Sequence, residues 1–204
     1  MLDQRRYAPA TQRNREPILA LLQRVLPPTG TVLEVASGTG EHSVFFAPRL
    51  QPRQWLPTDC EPECLASIRA WQAAEPAPNL EPPLELDVSQ PSWSATIAPR
   101  PFQAVVSINL LHISPWSTGL GLLAGAGALL PPGGILYLYG PFKQDGQHTA
   151  PSNAAFDQSL RAQNPAWGVR DLETVIAAAA DVGLDWVETV AMPANNLSVI
   201  CRHR

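Results

Sequence analysis

The chain predicts an α/β fold: a doubly wound, mostly parallel sheet of seven strands, with helices on both faces and an antiparallel last strand. Three observations point there. Short apolar runs alternate with stretches of helical length and spacing, which implies crossover connections between parallel strands. The first run, in "TVLEVASGTGEH", turns sharply at Gly38 and Gly40 just before a helical pattern begins. The last two runs, "LDWVETVAM" and "NNLSVICRH", join through "PAN", which is too short for a parallel crossover, so this pair is antiparallel.

Each element follows from local signals. Asn14 before "REPILALLQRVL" reads as a helix N-cap, with Pro17 in the first turn and Pro27-Pro28 as the stop. "TVLEVA" is the first strand, and a helix is expected from Glu41 to about Leu50. "RQWLPTD" follows as a strand, and "PECLASIRAWQAAE" as a helix that ends at Pro76. "PPLELDV", "FQAVVSIN" and "GILYLYG" are three further strands, with helical "STGLGLLAGAGALL" between the last two. "RDLETVIAAAADVG" is a helix closed by Gly183.

Composition narrows the function classes. With 204 residues, 45% apolar and 16% charged, the chain fits one globular domain over residues 1–204. A net charge of -4 offers no overall attraction to phosphate backbones or anionic lipid, so neither nucleic acid nor membrane is expected as a partner. "LGLLAGAGALLPPGG" is too short and glycine-rich to cross a bilayer of about 30 Å. The opening "MLDQRRYAPATQRNREP" lacks the apolar core of a secretory signal, which predicts a cytoplasmic protein. Cys60, Cys64 and Cys201 make an odd count without a Cys-x-x-Cys pair, so reduced thiols and no metal site are expected.

Polar residues then recur at strand ends. Glu34 lies inside the first apolar run, Asp59 closes "WLPTD", Asp87 closes "LELD", and Asn109 closes "VVSIN". In an open parallel sheet, ligands bind outside the carboxyl ends of the strands, near the point where strand order reverses. Glu34, Gly38, Asp59, Asp87 and Asn109 are therefore expected around one pocket. Asp59 stands where an acid can accept hydrogen bonds from a ribose. Asp is also favoured at turns and helix N-caps, which leaves a local role open for Asp59 and Asp87. The dinucleotide fingerprint asks for a third glycine where Ser43 stands and has no acid within the strand, so a nicotinamide cofactor is disfavoured.

Read in order, "VLEVASGTG", "PTD", "LDV", "VVSINLLH" and "LLPPGGILYLYG" resemble the successive motifs of class I S-adenosylmethionine-dependent methyltransferases, a Rossmann-like superfamily. The resemblance covers nearly the whole chain. It implies that Glu34, Gly38 and Gly40, with Ala36 and Ser37 between them, hold the methionine part of S-adenosyl-L-methionine. It puts the ribose at Asp59, with Cys60 beside it, and the adenine at Asp87 and Val88. A narrower set, "RYAPATQRNREPIL", "INLLHISPW", "YGPFK", "HTAPSNAAFDQSLR", "WGVRDLE" and "MPANNLSVI", resembles the small methyltransferase-like family catalogued as domain of unknown function 938. That family's name supplies no substrate.

The remaining candidates concern the acceptor side. His112, in "NLLHISPW", can take a proton near neutrality, although a packing role beside Trp116 is the alternative. Residues 140–170 form a candidate substrate-facing insertion rich in polar groups: Lys143, His148, Ser152, Asn153 and Asp157, preceded by Tyr139. Its alternative is a solvated loop with an ordinary amphipathic helix. Residues 1–14 are a candidate lid, with Tyr7 toward substrate and Arg13 paired to the cofactor carboxylate. Asn195 and Asn196 are expected to fill turn positions. After "VVSI" the chain reads Asn109-Leu110-Leu111-His112 and lacks the Asn/Asp-Pro-Pro-aromatic motif of adenine- and glutamine-directed methyltransferases, so a small-molecule acceptor is expected. The rival classes are a non-catalytic S-adenosylmethionine-binding protein acting through a partner and a nicotinamide-dependent oxidoreductase.

Overall fold

The structure, a computed structural model, describes residues 3–98 and 100–204. The first half of the chain runs α1 (Pro9–Val25), β1 (Thr31–Val35), α2 (Glu41–Arg49), β2 (Gln54–Asp59), α3 (Pro62–Ala74), β3 (Leu84–Glu85) and α4 (Trp93–Ile97). Then come β4 (Phe102–Ile108), α5 (Trp116–Leu129), β5 (Ile135–Gly140), β6 (Phe142–Gln144), β7 (Gln147–His148) and α6 (Pro151–Gln163). The chain ends with β8 (Arg170–Asp171), α7 (Leu172–Asp181), β9 (Leu184–Met192), a 3-10 turn at Pro193–Asn195, and β10 (Asn196–His203).

Seven strands form one sheet in the order β3-β2-β1-β4-β5-β10-β9, and β10 runs antiparallel to both β5 and β9. The chain winds from β1 outward to β3, then returns to lay β4 against the other side of β1, so the order reverses between β1 and β4. That is the switch point where an open sheet leaves a crevice beyond its strand ends. β1 alternates across the sheet. Leu33 and Val35 join the core under α5 and α7, while Val32 joins the core under α1 and α2. Glu34 shares the parity of Val32 and so faces α2.

Several elements depart from the sequence reading. α1 starts at Pro9, with Ala8 as its N-cap residue, and Asn14 is a buried helical residue instead of the cap. The polar opening "PATQRN" carries no apolar period, so its first turn gives no helical signal. Pro17 consequently sits inside the helix, where its missing N–H leaves the Arg13 carbonyl without the usual bond. β3 keeps only two residues, because Pro82 and Pro83 donate no ladder bonds and Asp87 begins a turn. α4 and the small sheet β7-β6-β8 were not expected. α5 packs close: a Cβ at Gly121 would lie 2.2 Å from the Val88 carbonyl oxygen, in the turn that follows β3.

Candidate active site

The loop after β1 is held in a strained path by its own hydrogen bonds. Ala36, Gly38 and Gly40 are left-handed, at φ of 56°, 59° and 88°. The Ser37 N–H donates to the Thr58 carbonyl (2.8 Å), the Thr58 N–H donates back to Ser37 Oγ (3.2 Å), and the Gly40 N–H reaches the Ser37 carbonyl (3.1 Å). Asp59, buried at the end of β2, accepts the Gly38 N–H at 2.8 Å and the Glu61 N–H at 3.0 Å. The two glycines have different reasons to be glycine. A Cβ at Gly40 would stand 2.8 Å from the Ile68 Cα, whereas a Cβ at Gly38 would meet nothing within 4 Å. Gly40 serves close packing on α3; Gly38 leaves an open approach to backbone.

Glu34, expected to hold the methionine end, is enclosed under the loop. Its carboxyl is 1% exposed and accepts hydrogen bonds from Ser43 Oγ (2.5 Å) and Trp55 Nε1 (2.7 Å). Burial pushes its pKa up to about 7, outweighing the opposing hydrogen bonds from Ser43, Trp55 and Ser37. Its carbonyl accepts the Thr58 hydroxyl at 2.8 Å, so Glu34 braces the floor of the loop. Asp87 accepts the Ser89 N–H and hydroxyl and the Gln90 amide, which hold its carboxyl below the usual range and make it the start of a turn. Val88 beside it is buried, and Cys60 is exposed on the rim next to Asp59.

Beyond the ends of β4, β5 and β10 lies a cavity of about 500 Å³. α1 contributes Ala10, Arg13 and Asn14 to its wall; Asn109 and His112 come from the end of β4, and Tyr139 and Pro141 from the end of β5. α6 adds Ser152, Asn153 and Phe156, and Pro193 to Asn196 close the remaining side. Asn109 is left-handed at φ 63°, and its N–H donates to the Tyr139 carbonyl (2.8 Å). Left-handed Ala194 and Asn195 shape the closing turn, and α6 latches it: Asn153 Nδ2 donates to the Asn195 carbonyl (2.9 Å), and Asn195 Nδ2 to Ser152 Oγ (3.2 Å). Asn195 thus fills the expected turn while Asn196 opens β10, and both line the cavity. Phe156, Ala10, Pro141, Pro193 and Ala194 carried no signal in the sequence beyond Phe156 being an aromatic on a polar helix.

His112 is 5% exposed and packs edge-on against Phe156, ring centroids 5.5 Å apart. Desolvation, and then the nearby Arg170 charge, lower its pKa to about 4, so the imidazole is neutral at pH 7. His42 is also held neutral, lowered to about 3 chiefly by burial, and its Nε2 meets Asn14 Oδ1 at 2.8 Å, tying α2 to α1 beside the cavity.

Four expected substrate residues fall outside this wall. Lys143, His148 and Asp157 form their own cluster: Asp157 accepts the Val169 N–H (2.7 Å) and stands 3.8 Å from Lys143 Nζ, 3.4 Å from His148 Nε2 and 3.2 Å from Arg161 Nε. The cluster joins α6 to the small sheet, which is a bracing role. Tyr7 is exposed and packs edge-on against Trp71. Around it the Arg6 N–H donates to Ser67 Oγ, Trp71 Nε1 donates to the Arg6 carbonyl, and the Ala8 N–H donates to Glu41. The expected lid is therefore divided into a strap tied over α2 and α3 and the first turns of α1. Arg13, expected on the cofactor, lines the cavity across β4 and β5.

Strand order, reversed antiparallel β10, glycine loop and acid after β2 together define the class I S-adenosylmethionine-dependent methyltransferase fold. Solved structures agree. The chain superposes on an O-methyltransferase family protein from Burkholderia thailandensis with a TM-score of 0.79 at 17% identity, covering 95% of this chain and 57% of that one. It matches human N-acetylserotonin methyltransferase in complex with SAM at a TM-score of 0.75 and 14% identity, covering 95% and 52% of the two chains. An O-methyltransferase family 2 protein from Planctomyces limnophilus in complex with apigenin gives 0.72 at 19% identity, covering 93% and 62%. The chain thus spans a little over half the length of these proteins. Within this fold it belongs to the family described as a protein of unknown function, DUF938, whose model matches residues 5–203.

Proposed function

We propose that the protein is an S-adenosylmethionine-dependent methyltransferase acting on a small-molecule acceptor. The observation that carries this reading is the open, left-handed backbone at Gly38, tied to buried Asp59, beside a separate walled cavity across the switch point. A sulfonium nucleoside fits the first feature: Ser37 and Gly38 present close backbone, Asp59 offers a fixed carboxylate to ribose hydroxyls, and Asp87 with Val88 marks the adenine end. Asn109 lies where the two regions meet. The second feature is sized for a metabolite, and the net charge of -4 does not favour a phosphate backbone. The solved relatives named above include complexes with SAM and with apigenin.

Bound S-adenosylmethionine supplies an electrophilic methyl carbon on a positively charged sulfur, and displacement at that carbon depends mainly on alignment and exclusion of water. α1, α6 and the latched turn wall off the acceptor. His112, neutral and facing the cavity, can accept a proton from an acceptor hydroxyl or amine at a ring nitrogen. With its pKa near 4 it is a weak base, so its contribution is to orient that proton as well as to receive it.

Calorimetric titration tests the reading. S-adenosylmethionine and S-adenosylhomocysteine should bind and a nicotinamide dinucleotide should not; the reverse pattern sinks the proposal. Asp59→Ala should weaken binding of either sulfonium-derived ligand by at least tenfold, from loss of charge-assisted hydrogen bonds worth about 1.5–3 kcal/mol.

A further inference from the structure

The wall of the acceptor cavity has a one-sided charge. It contains a cation, Arg13, and no carboxylate. Arg13 makes no ion pair among the described residues. Of the acids nearby, Asp157 is surrounded by Lys143, His148 and Arg161, Glu41 accepts the Ala8 N–H and the Thr39 hydroxyl, and Glu16, three residues on along α1, does not line the cavity. Behind His112, Arg170 donates to the carbonyls of Leu111, Ser114 and Ala166. Among the described residues, the one charged side chain lining the cavity is therefore a cation, in a protein whose net charge is negative. One face is flat and apolar, from Phe156, which is 41% exposed, together with Pro141 and Pro193, and the amides of Asn14, Asn109, Asn153, Asn195 and Asn196 line the rest.

We infer that the acceptor is a carboxylic acid with a flat, apolar body, its carboxylate held by Arg13 and its ring or chain lying along Phe156. This inference rests on the methyltransferase reading and reassigns Arg13 from cofactor to acceptor. Guanidinium and carboxylate match in planar geometry, and an amide or ester of the same acid loses the ionic half of that contact. The carboxylate is an anchor; the atom that receives the methyl group lies elsewhere on the acceptor, toward His112.

The test uses the full chain saturated with S-adenosylhomocysteine. Benzoate, 4-hydroxybenzoate and 3-phenylpropanoate are titrated calorimetrically against their primary amides. At least one acid should bind tenfold or more tightly than its amide, and Arg13→Gln should abolish that preference while leaving amide and S-adenosylhomocysteine binding within twofold. Equal binding of acids and amides, or Arg13→Gln weakening S-adenosylhomocysteine instead, overturns the inference. Failure of S-adenosylhomocysteine to bind at all removes the methyltransferase reading itself, so the two failures are distinguishable.

Discussion

The two sides of the switch point are built differently. On the β1–β2 side, the site is made by residues close in sequence to their strands, and nearly every polar group is bonded to backbone of the same loop or its neighbour: Ser37 with Thr58, Asp59 with Gly38, Asp87 with Ser89. On the β4–β5 side the wall is gathered from α1, α6 and the turn before β10, and Arg13 and His112 present polar groups to the cavity. The first side is a loop fixed by its own hydrogen bonds. The second is a set of separately supported walls, the arrangement expected where an acceptor is selected.

Substitutions can break that contrast. The largest effect is expected at Gly40→Ala, where a left-handed φ and a backbone clash with Ile68 combine; strain and overpacking together should cost about 4 kcal/mol, read as a large fall in the urea midpoint. Next is Glu34→Gln. Glu34 holds its proton more tightly folded than unfolded, so its contribution is complete below its ordinary pKa of 4.5 and is lost as the pH rises through about 7. The Gln variant should exceed the parent by up to about 3 kcal/mol at pH 8 and show no gain at pH 4.5. His42 and His112 slope oppositely. Folded, they resist protonation down to about 3 and about 4, so stability falls as the pH drops below 6.5 in both proteins.

On the acceptor side, Asp157→Ala should cost about 2 kcal/mol, because the buried Val169 N–H loses its acceptor. Affinity for S-adenosylhomocysteine should stay unchanged, and a parallel loss would erase the division between the two sides. The smallest stability effect belongs to Gly38→Ala, about 1 kcal/mol for the left-handed φ alone, since its Cβ meets only open space. Its binding of S-adenosylhomocysteine should nonetheless fall at least tenfold. A fully binding Gly38→Ala protein would mean that the open side of the loop is not the cofactor's approach.

The cradle was legible because its signals are local. A glycine after a strand, an acid at a strand end and a Pro-Pro before a strand each act within a few residues, so Gly38, Asp59 and Asn109 stand at strand ends as read, but of the five residues expected around one pocket only Asn109 lines the cavity. The enclosure of Glu34 was not legible, for an equally physical reason. Alternation along β1 puts it on the α2 face, and only Ser43 and Trp55, nine and twenty-one residues away, reveal that its carboxyl is enclosed. The same holds for the polar run between β5 and α7. Its chemistry was visible, but whether Lys143, His148 and Asp157 meet a ligand or one another is set by how α6 folds back on the small sheet.

Alternation, turn chemistry and motif order were enough to establish the doubly wound sheet and its antiparallel last strand, because these depend on interactions over short spans of chain. The division of the polar residues between cradle, brace and cavity wall was decided by tertiary packing. Burial and hydrogen-bond partnership are properties of neighbours in space, and Arg13, His112, Asn153 and Asn195 become neighbours only when α1, α6 and the last turn close over the same strand ends.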